Sequence, residues 1–271
     1  MDYEGFKNEI LKLTDINLSQ YKEKQMKRRI DSLIQKNRYE SYRDYVGALK
    51  TNKELYDEFI NYLTINVSEF YRNPEQWEVL KEHIFPLLLK KSPSLKIWSS
   101  ACSTGDEPYT LVMVLNHFIP LKNIKILATD IDREAIKKAK AGIYTEKSVE
   151  KLPVQYLAKY FRKEGNSYII NDDVKACVEF SRINLLKDPY PENCDLIVCR
   201  NVLIYFTEEA KEEIYKKINK ALKTGGVLFI GSTEQIIMSG KYSLKPVKTF
   251  FYIKEGEIRH EPASEQSYIS G

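Results

Sequence analysis

The first 64 residues carry apolar side chains at helical spacing and show no strand pattern. Met26, Ile30 and Ile34 follow an i, i+4, i+8 order, which places them on one face of a helix. Similar apolar stripes lie at residues 6–13, 42–49 and 55–63. The pattern therefore predicts a small all-helical N-terminal domain over residues 1–64.

From residue 92 onwards, short apolar runs alternate with helical patterns. The apolar runs, each predicted to be a strand, cover residues 95–98, 124–131, 178–186, 195–199, 227–230 and 249–253. Helices are predicted between them at residues 108–115, 133–141, 152–161 and 207–222. Continuous apolar strands that alternate with helices indicate a parallel sheet covered on both faces. The predicted fold class is α/β, with a doubly wound, mostly parallel, Rossmann-like sheet in residues 92–271.

Residues 65–91 connect the two domains as a linker motif and a connecting helix that Pro74 starts. Within the α/β domain, a small antiparallel β insert is predicted at about residues 160–178. We expect its hairpin to run from residues 168–170 to residues 174–178 around the turn Asn171-Asp172-Asp173.

The composition is that of an ordinary globular protein, and it argues against several kinds of site. The chain is 43% hydrophobic and 30% charged, and its net charge of +4 is too mild to indicate nucleic acid. The four cysteines form no Cys-x-x-Cys pair and the three histidines have no ligand spacing, so no metal site is predicted. The apolar contexts of Cys102 and Cys199 favour reduced thiols and a cytoplasmic location. No apolar run reaches the roughly 18 residues of a membrane span.

The turn between the first predicted strand and helix indicates the kind of cofactor. A strand, a turn of small residues and a helix start form the layout of a nucleotide-type site. A pyridine dinucleotide needs Gly-x-Gly-x-x-Gly for its pyrophosphate, whereas this turn has only Gly105, followed by the acids Asp106 and Glu107. These acids tolerate a cationic cofactor without phosphate, and S-adenosylmethionine fits that description. A plain capping box, Thr104-x-x-Glu107, is the competing interpretation.

Two further strand ends favour the cofactor interpretation. Asp130 ends the second predicted strand, and one carboxylate there can accept hydrogen bonds from two ribose hydroxyls. Arg200 and Asn201 follow the run at residues 195–199. In a doubly wound sheet these strand ends lie at the same edge, where ligands bind.

Five motifs then occur in order along the chain. They are NVSEFYR at residues 66–72, STGDEPY at residues 103–109, ATDI at residues 128–131, INLL at residues 183–186 and CRNVLIYF at residues 199–206. Together they resemble the CheR-type chemoreceptor glutamate methyltransferases over almost the whole chain. The resemblance implies S-adenosylmethionine as methyl donor, S-adenosylhomocysteine as product, and methyl esterification of receptor glutamates for sensory adaptation.

The resemblance also implies site residues by motif position. The implied cofactor-binding residues are Asn66, Ser68, Arg72, Glu107, Asp130, Asn184, Leu185, Arg200 and Asn201. Ser68 stands where many members have Thr, and Asp106 stands where Glu is common, so the hydroxyl and the charge are kept. Arg72 and Tyr205 are implied to lie closest to the transferred methyl group and are the predicted catalytic residues.

Glutamate chemistry agrees with the absence of a histidine or cysteine base in these motifs. A glutamate has a pKa near ~4.3 and is already a carboxylate nucleophile at neutral pH. Arg72 could hold it with a fork of hydrogen bonds, and Tyr205 could orient it. A surface salt bridge for Arg72 and a core-edge position for Tyr205 are the competing structural interpretations.

The second predicted helix carries the local positive charge. Residues 21–36 contain six basic and two acidic side chains, a net charge of six minus two, or +4. A solvated helix face is the plain interpretation. The resemblance instead implies that this helix docks on the Glu-rich methylation region of chemoreceptors. The predicted docking residues are Lys22, Lys27, Arg28 and Arg29.

The resemblance finally implies a cellular setting. We expect a cytoplasmic monomer that is recruited to membrane-bound receptor arrays, without membrane insertion and without nucleic acid. In some members the β insert captures a tethering peptide at the receptor C-terminus by adding a strand. The turn RKEGNS at residues 162–167 is short and lacks the extra Gly-containing residues of tether binders. The enzyme is therefore predicted to act independently of a tether.

Two other functions compete with this one. An amino-methylating nucleic-acid methyltransferase would place Asn/Asp-Pro-Pro-Tyr after the strand at residues 195–199, to hold a flipped base. That position holds Arg200-Asn201-Val202-Leu203, and Asp188-Pro189-Tyr190 precedes the strand instead. A non-catalytic adaptor that binds receptor and cofactor without turnover stays open, although the intact cofactor motifs argue against it.

Overall fold

The N-terminal domain of the computed structural model, which describes residues 1–256, is a bundle of short helices. They are α1 (Tyr3–Thr14), α2 (Glu23–Lys36), α3 (Tyr42–Thr51) and α4 (Lys53–Thr64). The side chains of Asp2, Ser41 and Asn52 accept first-turn N–H groups of α1, α3 and α4, which fixes where those helices begin. The apolar stripes pack around the fully buried Phe6 and Phe59. The predicted all-helical domain is confirmed.

A continuous helical segment leads from the linker into the α/β domain. It consists of α5 (Pro74–Val79), a π-helical turn (Leu80–Ile84) and α6 (Phe85–Leu89). Pro74 lies in the first turn, where its missing N–H group costs no hydrogen bond. Trp77 points from this segment into the core and is 1% exposed.

The α/β domain contains a large sheet and a small one. The strands are β1 (Ile97–Ser99), β2 (Ile126–Asp130), β3 (Ile143–Thr145), β4 (Phe161–Glu164), β5 (Ser167–Ile170), β6 (Val178–Arg182), β7 (Cys194–Cys199), β8 (Leu222–Ile230), β9 (Leu244–Lys248) and β10 (Phe251–Lys254). The large sheet has seven strands in the order β6-β2-β1-β7-β8-β10-β9. Its first five strands are parallel neighbours, and β10 is antiparallel to both β8 and β9. The predicted mostly parallel sheet is confirmed.

Helices cover both faces of the large sheet. The remaining helices are α7 (Asp106–Leu115), α8 (Arg133–Ala141), α9 (Glu146–Val149), α10 (Val154–Tyr160), α11 (Asp172–Lys175) and α12 (Glu208–Ala221). One apolar cluster joins α7 and the connecting helices to one face, and a second cluster joins α12 to the other. Helix α8 has the predicted bounds because Gly142, at φ 66°, ends it in the left-handed conformation.

The sequence pattern missed β9 and misplaced the hairpin of the insert. Strand β9 contains Pro246 and lies at an edge of the sheet, where a missing N–H group is tolerated. The small sheet has the order β3-β5-β4, and its hairpin pairs β4 with β5. The predicted hairpin across residues 168–178 is wrong. Most of its supposed turn and the start of its supposed second strand form α11, because the fully buried Val174 packs into the core there.

Several groups of contacts join the helical domain to the α/β domain, among them the salt bridge between Asp15 and Lys187 and the two junctions defined next. In the first, which we call the linker junction, Thr64 Oγ1 and Asn66 Nδ2 donate hydrogen bonds to Asp132 Oδ2 at 2.9 and 2.6 Å. In the second, the bridge junction, the backbones of Tyr21 and Phe206 form an isolated antiparallel bridge. Both junctions lie beside the carboxyl ends of the parallel strands.

No helix within residues 1–256 is both long and apolar enough to cross a bilayer. Most of the polar tail that the sequence predicts to be frayed, residues 257–271, lies outside the described residues.

Candidate active site

A cavity of about 970 Å³, counting its open mouth, lies between the linker and the carboxyl ends of β1, β2 and β7. The structure brings all the predicted cofactor-binding and catalytic residues to its wall: Asn66, Ser68, Arg72, Glu107, Asp130, Asn184, Leu185, Arg200, Asn201 and Tyr205. The wall also includes groups from the helical domain, among them Tyr21 and Leu63. The cavity is therefore formed by both domains.

Strained backbone is concentrated around this cavity. Ile65, Tyr71, Asn73, Ser103 and Asn201 all have φ between 47 and 59° although none is glycine. Such left-handed conformations are uncommon, and for a β-branched residue such as isoleucine they are genuine outliers. Strain of this kind persists where surrounding contacts over-determine it, and it occurs often at functional sites.

Asp130, at the end of β2, is the buried acid of the cavity. Its Oδ2 accepts the N–H of Ser103 at 2.8 Å and its Oδ1 accepts the N–H of Asp132 at 3.0 Å. Burial raises the pKa of the Asp130 carboxyl to about 6, and the charge of Asp132 acts in the same direction, while these backbone N–H groups lower it. Each carboxylate oxygen still has accepting capacity, which suits a pair of ribose hydroxyls.

Glu107 lies beside Asp130 but is held differently. Its Oε1 accepts the hydroxyl of Ser99 at 2.9 Å, and its Oε2 lies 3.4 Å from Arg200 Nη1. Burial raises the pKa of the Glu107 carboxyl, and the neighbouring Arg200 cation opposes that rise. The competing capping-box interpretation is not what the structure shows, because the Thr104 hydroxyl instead donates to Asp106 Oδ2 at 2.6 Å.

The Arg200 side chain holds the linker segment through hydrogen bonds. Its Nη2 donates to the backbone oxygen of Arg72 at 3.0 Å, to Asn73 Oδ1 at 3.1 Å and to Gln76 Oε1 at 3.0 Å. The guanidinium lies 4.6 Å from the ring centroid of Phe229. Burial lowers the pKa of the guanidinium. Its Nε is buried without a partner among residues 1–256. Arg200 thus positions Arg72, and its direct contact with the cofactor stays a prediction.

The linker residues Asn66 and Ser68 reach the loop that follows β1. Asn66 Oδ1 accepts the hydroxyl of Ser103 at 3.0 Å, so both ends of this amide are bonded to protein groups. Ser68 lies against the buried carboxyl of Asp106, whose pKa it helps to lower against the effect of burial. These two side chains hold the linker against the cofactor loop.

Asn184 and Leu185 close another side of the cavity. Asn184 Nδ2 donates to the backbone oxygen of Asp15 at 3.3 Å, and the Asp15 carboxylate pairs with Lys187 at 2.7 Å. Leu185 is 7% exposed and contributes apolar wall. This segment therefore touches the end of α1 as well as the cavity.

Arg72 and Tyr205 stand on the acceptor side of the cavity. The Arg72 guanidinium is half-buried, donates to the Val67 backbone oxygen at 3.3 Å, and has no carboxylate partner among residues 1–256. A salt bridge for Arg72 is thus not what the structure shows. Burial raises the pKa of the Tyr205 phenol, and the nearby cations Arg29 and Arg72 oppose that rise. Two guanidinium groups therefore lie near one phenol.

The predicted docking residues on α2 do not all face solvent. Lys22 and Arg28 are exposed. Lys27 pairs with Asp31 at 3.0 Å. Arg29 Nη2 donates to the Tyr62 backbone oxygen at 2.6 Å. Lys24, which the resemblance did not single out, is exposed one turn before Arg28.

Sequence reasoning missed Glu234. Its carboxylate is 4% exposed and accepts four backbone N–H groups, from Gly231, Asn201, Leu203 and Ile204, at 2.6 to 3.3 Å. It thereby fixes the loop that carries Asn201 and Tyr205. Its place after β8, at the same sheet edge as Asp130, is the signal that could have revealed it. Asp132 and Ser103 were missed as well, and both contact other site residues.

The groups of the cavity fit S-adenosylmethionine. The acids Asp130 and Glu107 offer acceptors to ribose hydroxyls and a favourable field to a cationic centre. The turn after β1 places Asp106 and Glu107 in the first turn of α7, where a pyrophosphate would be repelled. The buried, unpartnered Nε of Arg200 remains as a donor for a bound group.

Comparison with known families decides between the open interpretations. The family model “CheR methyltransferase, all-alpha domain” matches residues 1–64, and “CheR methyltransferase, SAM binding domain” matches residues 66–251. The chain belongs to the CheR methyltransferase family. The resemblance read from its motifs is confirmed.

Curated relatives of this CheR methyltransferase carry matching names. A chemotaxis protein methyltransferase of Listeria innocua is 42% identical over 254 residues, which is 93% of this chain and 97% of that protein. One of Borreliella burgdorferi is 32% identical over 82% of this chain and 83% of that protein. The present protein is therefore an S-adenosylmethionine-dependent chemotaxis protein methyltransferase.

Proposed function

We propose that this CheR methyltransferase methylates the side-chain carboxylates of glutamates on chemoreceptors and so forms glutamyl methyl esters for sensory adaptation. The observation that carries the proposal is the acceptor side of the cavity, where Arg72 lies near Tyr205 without a carboxylate partner among residues 1–256. A cationic fork beside a phenol matches an incoming carboxylate. The enzyme would work in the cytoplasm at membrane-bound receptor arrays.

The chemistry needs placement more than activation. When bound, S-adenosylmethionine supplies an electrophilic methyl group on a sulfonium. Arg72 holds the acceptor carboxylate through parallel N–H donors. Tyr205, whose raised pKa keeps the phenol protonated at neutral pH, donates a further hydrogen bond. Together they fix one carboxylate oxygen for in-line attack on the methyl group. Their hydrogen bonds replace those that the carboxylate loses when it leaves water.

Receptor docking is proposed for exposed basic side chains in the first half of α2 and at its N-cap. Lys22, Lys24 and Arg28 form this surface, and we call it the α2 basic surface. Arg29 and Lys27 are excluded from it because both are engaged within the domain. A surface with this charge complements a Glu-rich receptor segment and speeds encounter with it.

Independence from a receptor tether is proposed from the small sheet. Strands β4 and β5 are joined by a two-residue loop, Gly165-Asn166, with Gly165 at φ 57°. This is a minimal hairpin loop, and it adds no chain with which to enclose a peptide.

The proposed reaction is tested with methyl-labelled S-adenosylmethionine and receptor-bearing membranes. We expect receptor-bound label that base releases as methanol, because carboxyl methyl esters hydrolyse readily. Membranes whose receptors carry Gln at the methyl-accepting positions serve as control and should stay unlabelled. Label that survives base, or equal label on the Gln receptors, would contradict the proposal.

The α2 basic surface is tested by reversing its charge. The double variant Lys24→Glu/Arg28→Glu should weaken receptor binding by about tenfold at low salt and by less at high salt, where Coulomb interactions are screened. The matched control Arg43→Glu/Lys220→Glu reverses two exposed charges on α3 and α12. Equal binding by both double variants would restore the plain solvated-face interpretation.

Tether independence is tested on the receptor. Removal of the receptor C-terminal tail should leave the methylation rate unchanged, and addition of the free tail peptide should not inhibit. A large loss of rate on truncation would refute this part of the proposal.

A further inference from the structure

A closed ring of hydrogen bonds links the cofactor acid to the linker. Ser103 donates its N–H to Asp130 Oδ2 at 2.8 Å and its hydroxyl to Asn66 Oδ1 at 3.0 Å. Asn66 Nδ2 donates to Asp132 Oδ2 at 2.6 Å, and the N–H of Asp132 donates to Asp130 Oδ1 at 3.0 Å. The ring therefore joins the loop after β1, the end of β2, the start of α8 and the linker.

Asp132 divides its two oxygens between two tasks. Its Oδ1 accepts the N–H groups of Glu134 and Ala135 at 2.8 and 3.1 Å and so caps α8. Within residues 1–256, its Oδ2 accepts hydrogen bonds only from groups of the linker junction, Thr64 Oγ1 and Asn66 Nδ2. The carboxylate is 1% exposed, so neither task is shared with solvent. A helix cap alone would need only one of these oxygens.

The hydrogen bonds to Asp132 are the polar part of the domain contact at this point, and Ile131 beside it packs against the apolar core of the helical domain. A second groove, lined by α1, α4 and the start of α8, borders Asp132. Hydrogen-bonded neighbours in one network typically show interaction energies large enough to change an equilibrium several-fold.

We propose that Asp132 is a positioning residue that couples the cofactor acid Asp130 to the linker that carries Arg72. This rests on the roles proposed above for Asp130 and Arg72. With the contact intact, binding of ribose at Asp130 and placement of Arg72 occur in one arrangement of the ring. Without it, the linker is free to leave the loop after β1, and both cofactor affinity and turnover fall.

Exchange of the two partners separates this role from helix capping. Asp132→Asn keeps a capping oxygen for α8 but turns an NH₂ group toward the NH₂ group of Asn66. Asn66→Asp instead sets two carboxylates against each other. The double variant Asn66→Asp/Asp132→Asn restores a donor opposite an acceptor, with the polarity reversed, and leaves an acceptor for the Ser103 hydroxyl.

The test measures the dissociation constant of S-adenosylhomocysteine by calorimetry, together with kcat and the melting temperature. Each single variant should weaken S-adenosylhomocysteine binding by about tenfold and lower kcat, and the double variant should recover most of both losses. Ser41→Ala, which removes the cap of α3 away from the cavity, should lower the melting temperature without changing S-adenosylhomocysteine binding.

Two outcomes would overturn the inference. One is wild-type binding and turnover in both single variants. The other is a double variant as impaired as the sum of the singles, because then the two residues act separately. The binding measurement does not depend on the acceptor: failure of the proposed glutamate methylation would appear in the wild-type enzyme as missing base-labile label, while S-adenosylhomocysteine binding would still test the ring.

Discussion

The linker junction and the bridge junction join the same two domains with different chemistry. At the linker junction, side chains do the joining: Thr64 and Asn66 meet Asp132 through hydroxyl, amide and carboxylate groups. At the bridge junction, backbone hydrogen bonds run beside an edge contact between the Tyr21 and Phe206 rings, whose centroids lie 5.0 Å apart. The backbone N–H of Lys22 donates to the backbone oxygen of Tyr205, and that of Thr207 donates to the backbone oxygen of Gln20, both at 2.9 Å.

The two junctions also lead to different members of the acceptor site. The linker continues from Asn66 to Arg72, whereas the bridge holds the backbone of Tyr205 itself. A side-chain junction changes with almost any substitution of its members. A backbone junction changes only when a substitution alters main-chain conformation or removes an N–H group. Arg72 is therefore placed through side-chain hydrogen bonds, whereas the Tyr205 backbone is held through hydrogen bonds that any residue except proline can supply at position 22.

Replacement of Arg72 should give the largest loss of kcat, because it removes the guanidinium that the linker places in the acceptor site. Arg72→Ala should lower kcat by about 10² to 10³-fold, the usual cost of losing one preorganised group that stabilises charge in the transition state. The melting temperature should stay unchanged, since in the described part of the chain the side chain donates a hydrogen bond only to the Val67 backbone oxygen. Arg72→Lys, which keeps the charge without the fork, should fall between. Near-normal turnover of Arg72→Ala would end its catalytic role.

A proline at position 22 removes one backbone N–H group from the bridge junction. Lys22 has φ −59°, which proline adopts without strain, and Tyr21 before it is extended. Lys22→Pro should lower kcat about fivefold relative to Lys22→Ala, because it loses one hydrogen bond to the backbone oxygen of Tyr205. Both variants lose the same charge, so their ratio reports the N–H group alone. Equal kcat values would show that the bridge does not position Tyr205.

Acidification should act on the linker side and spare the bridge. Burial raises the pKa of Asp130 to about 6, and its neighbours Asp132, Tyr21 and Cys102 bring no compensating cation. Since hydrogen bonds from ribose require the carboxylate, S-adenosylhomocysteine affinity should be level above about pH 7 and fall toward tenfold per unit below pH 6. Calorimetry from pH 5 to 8 checks this, and Asp130→Asn should give a flat profile.

The raised pKa of Asp130 gives the stability of the cofactor-free protein the opposite pH dependence: it falls as the pH rises. A carboxyl whose pKa is higher in the folded state than its usual value near ~3.9 stabilises the fold most when protonated. The contribution of Asp130 is therefore present below about pH 4 and lost as the pH rises through about 6. In melting experiments, the stabilisation that S-adenosylhomocysteine adds should grow over this interval. A constant increment would contradict the assignment of the raised pKa to Asp130.

Much of the fold was predictable because it follows local rules. Periodicity located the helices of the N-terminal domain, and Gly142 marked the end of α8 to the residue. The hairpin of the insert failed for the converse reason. Residues 172–175 carry only one apolar side chain, Val174, and tertiary burial of that side chain selects a helix over the strand that its neighbours suggest.

The residues of the site were likewise predictable only in part. Motifs identified the side chains that reach the cavity, such as Asp130 and Glu107. They did not reveal which side chains serve the protein instead of the ligand. The contacts of Arg200 with Arg72 and of Arg29 with Tyr62 join residues 128 and 33 positions apart, and no spacing along the chain encodes them. Glu234 was missed because its partners are backbone groups, which every residue has.

The carboxylate of Glu234 has a consequence for hydrogen exchange. Four amides from two separate loops, those of Gly231, Asn201, Leu203 and Ile204, end on this one side chain. Departure of the carboxylate exposes all of them to deuterium at once, so they share a single protection factor although their positions range from 201 to 231. The loop that carries Tyr205 and the turn after β8 therefore open as one cooperative unit.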